Sequence, residues 1–344
     1  MLVIDGSMGE GGGQVLRTSL ALSICLGVPF RIVKIRAGRP KPGLGRQHLA
    51  AVQAAAAISG AQVEGATLGS QELAFAPGPC HLGDYRFSIG TAGSTTLVLQ
   101  AILPPLALAG GVSSVYLCGG THNPQAPPYP FVERTLLPVL ARLGVPVTAQ
   151  LLRPGFYPRG GGELAVTVGP SELRPGDFLE RGAVRAVTAE IALAGLPDHI
   201  ARREAATLQR ELEIPFEAIR VKRYPPQWGP GNTVSVFVQS ETIVETFTAF
   251  GRQRLPAEHV AAEAAAQAKR YLAAGAPVGP YLADQLPVWL ALAGRGSFRT
   301  LELSRHTTTN LDLLQRFLDL RVEVRQQGED DWFVQLERNG QFSE

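Results

Sequence analysis

Cysteine is scarce in this 344-residue sequence, with three residues, Cys25, Cys80 and Cys118. Their number is odd and they lie far apart, which excludes a disulfide framework and any CxxC metal site. This usage is typical of a reducing compartment, and we expect a cytoplasmic protein. The first residues also lack the basic start and long apolar core of a signal peptide.

Long apolar runs are equally rare. The longest, residues 95–111, contains Gln100 and two prolines, so it predicts a buried helix and not a membrane span. The composition is ordinary for a soluble globular protein, with 45% hydrophobic and 18% charged residues. The length predicts two domains, or one large core with an insertion, and we expect no membrane partner.

Lysine is also scarce, because only four of the 32 basic residues are lysines. Arginine binds phosphate through two parallel hydrogen bonds and lysine does not, so the excess of arginine fits a phosphate-binding protein. It fits a GC-rich genome that favours arginine codons equally well. The net charge of +2 is no nucleic-acid signature by itself.

One order of predicted elements occurs three times: helix, strand, loop, helix, strand, strand. The units cover residues 11–78, 92–169 and 281–337, and a further strand precedes the first two. Each should form a small sheet backed by two helices, with the helices inside and the sheets outside. The loops 36–47 and 118–130 and the segment 304–310 occupy equivalent positions, before helix N-termini where anions bind.

Residues 182–276 break this pattern. They contain four predicted strands and two predicted helices, which is enough for a smaller α/β domain. We therefore expect a large three-repeat domain formed by residues 1–181 and 277–344, with a small domain inserted at 182–276.

A glycine-rich segment surrounds Glu10 just before the first helix. It is neither a P-loop nor a GxGxxG motif, because Gln14 fills the last position. Its backbone N–H groups could approach an anion, and Glu10 could hold Mg²⁺ together with substrate phosphates. A solvated turn is the alternative. Arg17 follows near the apolar face of the helix, where it could reach a shared site or remain exposed.

Two further loops have basic or histidine-containing motifs. Residues 36–53 contain a cluster of arginines and one lysine on a loop stiffened by glycine and proline, which favours a phosphate clamp over a solvated loop. His122 stands alone beside a proline-rich wall, and such a histidine is more often a surface or capping residue than a ligand. A hairpin is the preferred interpretation of residues 155–162.

His306, in "LSRHTTTN", has three possible roles. Metal binding is weakly supported, because the six histidines form no HxH or HExxH motif. A packing role is the usual one for a lone histidine. A nucleophile is the third, because neutral imidazole attacks phosphorus without a local base. A helix beginning at residues 307–310 would favour the neutral imidazole and attract phosphoryl oxygens.

Several motifs together resemble the RNA 3′-terminal phosphate cyclase family over nearly the whole chain. They are "EGGGQVLR", "RAGRPKPGLGRQHL", "GTAGSTTLVLQ", "GGTHNPQAPP", "GFYPRGGG", "WGPGN", "GPYLADQL" and "RHTTTN". The resemblance implies an α/β (α+β) fold of three βαβαββ units, akin to those of EPSP synthase, with an inserted smaller domain before the third unit. The repeat pattern agrees with that fold.

The resemblance also implies an activity. His306 would attack the α-phosphorus of ATP to give a histidine–AMP phosphoramidate, and the AMP would pass to the 3′-phosphate of an RNA end. The neighbouring 2′-hydroxyl would then close a 2′,3′-cyclic phosphate. Mg²⁺ or Mn²⁺ and the arginines would neutralise charge at phosphorus.

Carried over position by position, the resemblance implies a role for each of ten residues. Glu10 would hold the metal. Arg17 and Arg39 would bind phosphates of ATP or of the RNA end, with Gln47 beside them. Tyr281 and Pro127 would sandwich the adenine, with Phe131 near, and the nucleotide pocket near His306 would be lined by Asp284, Gln285 and Gln100.

Two alternatives remain beside the enzyme. Cyclase-like ribosome-biogenesis scaffolds share the fold but lack the nucleophile, so His306 favours the enzyme. An enolpyruvyl transferase would share the repeats but would need neither the small insert nor the histidine. Edge strands of the outer sheets could pair between two copies of the chain, so a homodimer is possible.

Overall fold

The computed structural model describes residues 1–339, and its first unit is a four-stranded sheet with two helices. The strands are β1 (Leu2–Asp5), β2 (Phe30–Val33), β3 (Gln62–Glu64) and β4 (Leu73–Ala76), and the helices are α1 (Gly13–Leu26) and α2 (Arg46–Ser59). The strand order is β1-β2-β4-β3, with β1 parallel to β2 and the other pairs antiparallel. Helix α1 supplies the crossover that the parallel pair requires.

The second unit repeats this topology. Its strands are β5 (Asp84–Ser88), β6 (Ser113–Gly119), β7 (Val147–Arg153) and β8 (Gly162–Val168), in the order β5-β6-β8-β7. Helix α3 (Thr95–Leu108) follows β5, and a second helical segment runs through α4 (Tyr129–Phe131), a π-helical turn (Val132–Leu136) and α5 (Leu137–Arg142). The apolar run of residues 95–111 is therefore largely a buried helix, as predicted.

A short strand, β9 (Gly176–Phe178), precedes a segment with its own sheet. That segment contains β10 (Val184–Ala194), α6 (Asp198–Leu212), a 3₁₀ turn (Phe216–Ala218), β11 (Ile219–Tyr224), a second 3₁₀ turn (Pro226–Trp228), β12 (Gly231–Ser240), β13 (Val244–Phe250) and α7 (Ala257–Ala274). The strand order is β11-β10-β12-β13. The domain boundaries at residues 182 and 276 stay a prediction.

The third unit closes the repeat with α8 (Pro280–Ala283), α9 (Leu286–Leu292), β14 (Arg295–Thr300), α10 (Arg305–Phe317), β15 (Leu320–Gly328) and β16 (Asp331–Arg338). Its sheet has the order β9-β14-β16-β15, with β9 parallel to β14. The first strand of this unit thus lies before the inserted segment. The sequence pattern indicated such a strand only in the first two units, and three residues are too few to show an alternation.

Helices form the centre of the three-unit assembly. Helix α1 packs against α2, α3 and α10, and α9 packs against α10. Leu16 and Leu20 of α1 are fully buried among them, and burial of such side chains stabilises a fold by roughly 1.5–3 kcal/mol each. The predicted fold class, α/β with three repeated βαβαββ units, is confirmed.

Three predicted boundaries move, and two of the moves affect the site. The sequence of residues 30–38 predicts a strand, but the strand ends at Val33, since Lys34 and Arg36 have positive φ angles. The sequence of residues 281–296 predicts one helix, but the helix breaks after Ala283, because Pro287 has no N–H to continue the ladder. The final helix begins at Arg305, before the start at residues 307–310 that the sequence predicted. Within residues 1–339, no helix is both long and apolar enough to cross a bilayer.

Candidate active site

His306 lies in the first turn of α10, next to the helix N-terminus. Ser304 is the N-cap, and its side-chain oxygen accepts a hydrogen bond of 3.0 Å from the backbone N–H of Thr307. An N-capping serine stabilises a helix by about 1 kcal/mol. The cap therefore fixes where α10 begins, and with it the place of the imidazole.

Gln14 and Glu10 both reach the same nitrogen of His306. Gln14 Oε1 is hydrogen-bonded to His306 Nδ1, and Gln14 Nε2 donates to the backbone carbonyl of His306 at 3.3 Å. Glu10 Oε2 lies 3.3 Å from the same Nδ1. Gln14 occupies the first turn of α1, so the N-termini of two long helices meet at this imidazole. Both helix ends favour anionic ligands there.

The Glu10 carboxylate is the acidic group nearest this nitrogen, and it is ion-paired with Arg39. The Glu10 side chain is 14% exposed and that of Arg39 is 39% exposed. The structure therefore brings together two residues from different loops that the sequence assigned to one site.

The pKa of His306 is lowered below its ordinary value. Partial burial is the main cause, and the positive charges of Arg17 and Arg39 act in the same direction, whereas Asp284 opposes them. A lowered pKa keeps the imidazole neutral at physiological pH, and only the neutral form has a free electron pair. The electrostatics thus suit a nucleophile.

Asp284 is held beneath the start of α10. Its Oδ1 accepts hydrogen bonds from Ser304 Oγ and, at 2.7 Å, from Thr307 Oγ1. Asn310 Nδ2 donates to the Asp284 backbone carbonyl at 2.8 Å. Burial raises the pKa of Asp284, and the two hydroxyl hydrogen bonds oppose that rise. Through these hydrogen bonds, Asp284 connects the break between α8 and α9 to the first turn of α10.

A row of side-chain hydrogen bonds, here called the polar chain, connects Arg17 to the break between α8 and α9. Arg17 Nε donates to Gln100 Oε1 at 3.1 Å, and Gln100 Nε2 donates to Gln285 Oε1 at 2.5 Å. Burial lowers the pKa of Arg17 to about 10, which leaves the guanidinium charged at neutral pH. The three repeats each contribute one residue to this row of hydrogen bonds, although none of the three lies in the loops that the repeat pattern placed in equivalent positions.

A pocket that is partly open to solvent lies beside the polar chain. Among its lining residues are Gln14, Gln100, Pro127, Asp284 and Gln285. Its remaining walls are mainly apolar, which is the usual character of a small-molecule site. Four predicted nucleotide-binding residues therefore line one pocket.

The other seven predicted residues do not line this pocket. Four of them, Glu10, Arg17, Arg39 and His306, have the contacts described above, and three lie elsewhere. Tyr281 is 44% exposed and donates to Gln267 Oε1 at 2.8 Å. Phe131 is buried in the core. Gln47 Oε1 accepts a hydrogen bond of 2.5 Å from the backbone N–H of Ser94, the N-cap of α3. Their predicted roles stay predictions.

A divalent cation would find one carboxylate, Glu10, at this position. No group of three or more His, Cys, Asp or Glu residues that could hold a metal occurs within residues 1–339. Mg²⁺ commonly binds through one or two carboxylates, water and substrate phosphates. The single carboxylate would fit Mg²⁺ or Mn²⁺ only together with substrate phosphates and water, and the role of Glu10 as a metal ligand stays a prediction.

Sequence reasoning missed two residues that contact the site. Gln14 was noted only for excluding a dinucleotide motif, and its two hydrogen bonds to His306 span 292 positions. His48 is partly buried near Arg17, Arg36 and Arg39, and its partial burial together with these charges lowers its pKa to about 3. Gln14 lies in the motif "EGGGQVLR" and His48 in "RAGRPKPGLGRQHL". Their places in these motifs were the signal that could have identified both residues.

Comparisons with known proteins identify the family of this chain. The sequence profile described as "RNA 3′-terminal phosphate cyclase" matches residues 8–324. The chain belongs to the RNA 3′-terminal phosphate cyclase family. It is 51% identical over 324 residues to a protein named RNA 3′-terminal phosphate cyclase from Ralstonia nicotianae, covering 94% of this chain and 93% of that protein. The assignment to this family from the motifs is confirmed.

A solved structure offers a more distant likeness. It is the crystal structure of the enolpyruvyl transferase NikO from Streptomyces tendae, with a TM-score of 0.39 and 12% sequence identity. The match covers 97% of this chain, and the chain spans 48% of the other. At this distance the likeness supports no conclusion about function.

Proposed function

We propose that this protein uses ATP to convert an RNA 3′-terminal phosphate into a 2′,3′-cyclic phosphate through a covalent histidine–AMP intermediate. The observation that carries the proposal is the position of His306. A partly buried imidazole with a lowered pKa lies at two helix N-termini, in a chain that belongs to the RNA 3′-terminal phosphate cyclase family.

In the first step, an imidazole nitrogen of His306 attacks the α-phosphorus of ATP. A nitrogen–phosphorus bond forms, the bond from the α-phosphorus to the bridging oxygen breaks, and pyrophosphate leaves. The lowered pKa of His306 supports this step, because the neutral form is the one that attacks. The helix N-termini at Gln14 and His306 favour the negative phosphoryl oxygens.

In the second step, an oxygen of the RNA 3′-phosphate attacks the phosphorus of the histidine-bound AMP and frees the imidazole. In the third, the neighbouring 2′-oxygen attacks the activated 3′-phosphate, its proton passes to solvent, and AMP leaves with the bonding electron pair. The ribose holds the 2′-hydroxyl next to the phosphorus, so this closure gains from proximity and needs little general base.

Arg17 and Arg39 supply the positive charge that these anionic steps require. Arg17 remains charged although buried, and Arg39 lies at the Glu10 carboxylate. Fixed cations in a partly desolvated site stabilise charge that develops at phosphorus. Glu10 would hold Mg²⁺ or Mn²⁺, which supplies further charge neutralisation when bound with ATP.

The pocket lined in part by Gln14, which is hydrogen-bonded to His306, is the proposed nucleotide site. Pro127, Gln100, Asp284 and Gln285 would contact the nucleotide, since all four line the pocket. We assign Tyr281 and Phe131 to the adenine end and Gln47 to the RNA phosphate on the strength of the family resemblance. The cytoplasmic location is part of the same proposal, supported by three free thiols.

The test is incubation with α-labelled ATP and Mg²⁺ or Mn²⁺, followed by a denaturing gel and acid or alkali treatment. An acid-labile, alkali-stable protein band is expected, because a phosphoramidate has that stability. RNA ending in a 3′-phosphate should then chase the label. Folded protein free of bound AMP that shows no band would contradict the proposal and favour a non-catalytic scaffold of the same fold.

A further inference from the structure

The side chain of Gln14 makes two hydrogen bonds to one residue, His306. Its amide nitrogen donates to the His306 backbone carbonyl at 3.3 Å, and its amide oxygen contacts His306 Nδ1. A carbonyl oxygen can only accept a hydrogen bond. The contact to the carbonyl therefore directs the NH₂ group of Gln14 there and directs Oε1 towards the imidazole.

This orientation determines where the proton of the imidazole sits. Gln14 Oε1 is an acceptor, so Nδ1 must carry the proton to make the hydrogen bond. In a neutral imidazole the other nitrogen, Nε2, then holds the free electron pair. The opposite tautomer would place the free pair on Nδ1, against an oxygen that repels it.

We propose that Gln14 is a positioning residue that fixes the tautomer of His306, so that Nε2 is the nitrogen that attacks the α-phosphorus. The inference deepens the proposed function and depends on it. Gln14 also lines the proposed nucleotide site, and it is buried in the first turn of α1. It can therefore hold the ring in place while the nucleotide lies next to it.

Glu10 is the competing candidate for this role. Its Oε2 lies 3.3 Å from Nδ1, which is longer than a good hydrogen bond to a carboxylate, and its carboxylate is already engaged by Arg39. Glu10 also stands outside α1, in a glycine-rich turn, whereas Gln14 is fixed within the helix. The geometry thus identifies Gln14, and not Glu10, as the residue that fixes the tautomer of His306.

The test compares Gln14→Leu and Gln14→Glu with the wild type over a range of ATP concentrations, by the maximal single-turnover rate of histidine–AMP formation and the half-saturating ATP concentration. Leucine removes the acceptor and should lower the rate about tenfold, the size expected for one lost hydrogen bond. Glutamate keeps an acceptor for Nδ1–H but loses the donor to the His306 carbonyl, so it should restore only part of the rate. Gln315→Leu, at the far end of α10, is the matched control and should change neither value.

Nitrogen-15 NMR of histidine-labelled protein gives a readout that a merely structural role would not change. The wild type and Gln14→Glu should show His306 as the Nδ1–H tautomer, and Gln14→Leu should show a mixture or the Nε2–H form. A Gln14→Leu protein that keeps both the Nδ1–H tautomer and the wild-type rate would overturn the inference. Failure of the proposed function is distinct, because the wild type itself would then form no histidine–AMP.

Discussion

The backbone of Glu10 and the side chain of Thr309 are hydrogen-bonded, although 299 positions separate them in sequence. The N–H of Glu10 donates to Thr309 Oγ1 at 3.1 Å, and Thr309 Oγ1 donates to the Arg305 carbonyl at 2.5 Å. This contact attaches the glycine-rich turn of the first repeat to the first turn of α10. The carboxylate of Glu10 and the imidazole of His306 therefore approach through one defined junction.

Gly9→Ala should disrupt that junction. A Cβ at position 9 would lie 2.0 Å from Thr309 Oγ1, and the residue has a φ of +56°. The strain and the clash together should destabilise the protein by about 2–3 kcal/mol and slow histidine–AMP formation at least about tenfold. Thermal unfolding and single-turnover labelling measure both.

Gly27→Ala is the matched control for Gly9→Ala. Gly27 has a similar φ of +66°, but a Cβ there would meet nothing within 4 Å. It should show only the backbone cost of about 1 kcal/mol and normal labelling. Equal losses of stability and of labelling rate in the two variants would mean that the close approach of Thr309 to Gly9 contributes to neither.

His306→Ala should abolish covalent labelling by α-labelled ATP while the protein remains folded. The His306 side chain is 44% exposed and contributes little to the core, so the free energy of unfolding should change by less than about 1 kcal/mol. His81→Ala removes an exposed histidine elsewhere and should label normally. Full labelling of His306→Ala would remove that residue from the mechanism.

The sequence predicted the repeated fold because each unit shows its own periodicity and turn residues. It missed β9, since three residues show no alternation and their partner strand β14 begins more than a hundred positions later. It also placed Asp284 and Gln285 within one helix. The proline at 287 was visible, but only the packed structure shows that the helix breaks there.

The candidate site was predicted largely through motifs, and the contacts inside it were not predictable. The resemblance named Glu10, Arg39 and His306, and the structure brings all three together. The bonds from Gln14 depend on how α1 and α10 meet, which no local pattern encodes. Likewise, the link from Arg17 to Gln100 requires the packing of α1 on α3.

Arg39→Ala should impair transfer to the RNA 3′-phosphate more than it impairs folding. Arg39 is partly exposed and pairs with Glu10, so we expect a loss of about 10–100-fold in the rate of cyclic phosphate formation and a stability change within about 1 kcal/mol. Arg31→Ala removes a more exposed ion pair, with Glu72, and should leave the rate unchanged. An unchanged rate in Arg39→Ala would exclude that arginine from the site.

Two buried glutamates should make the protein less stable as pH rises through neutrality. Burial raises the pKa of Glu204 and of Glu245 to about 8. Glu245 Oε1 accepts a hydrogen bond of 2.6 Å from the Gly279 N–H, and its other oxygen has no partner within residues 1–339. Asn232 donates to Glu204 at 3.1 Å.

The direction of this pH dependence follows from the number of protons that the folded and unfolded states bind. Unfolded glutamate loses its proton near pH 4.5, whereas the folded state keeps both protons until about pH 8, so rising pH favours the unfolded state in between. Below about pH 6.5 this trend is opposed by His48 and His122, whose pKa burial lowers to about 3. The decline should therefore be clearest between pH 6.5 and 8.

Glu245→Gln should reduce that decline by about half, since one of the two proton sites is removed. Each site contributes at most about 1.4 kcal/mol per pH unit. Urea unfolding at pH 6.5, 7.2 and 8 measures the slope, and Glu241→Gln, on the exposed turn before β13, is the matched control that should retain it. If Glu245→Gln and the wild type lose stability at the same rate, Glu245 is already ionised in the folded protein, and its buried oxygen must then be neutralised by a partner.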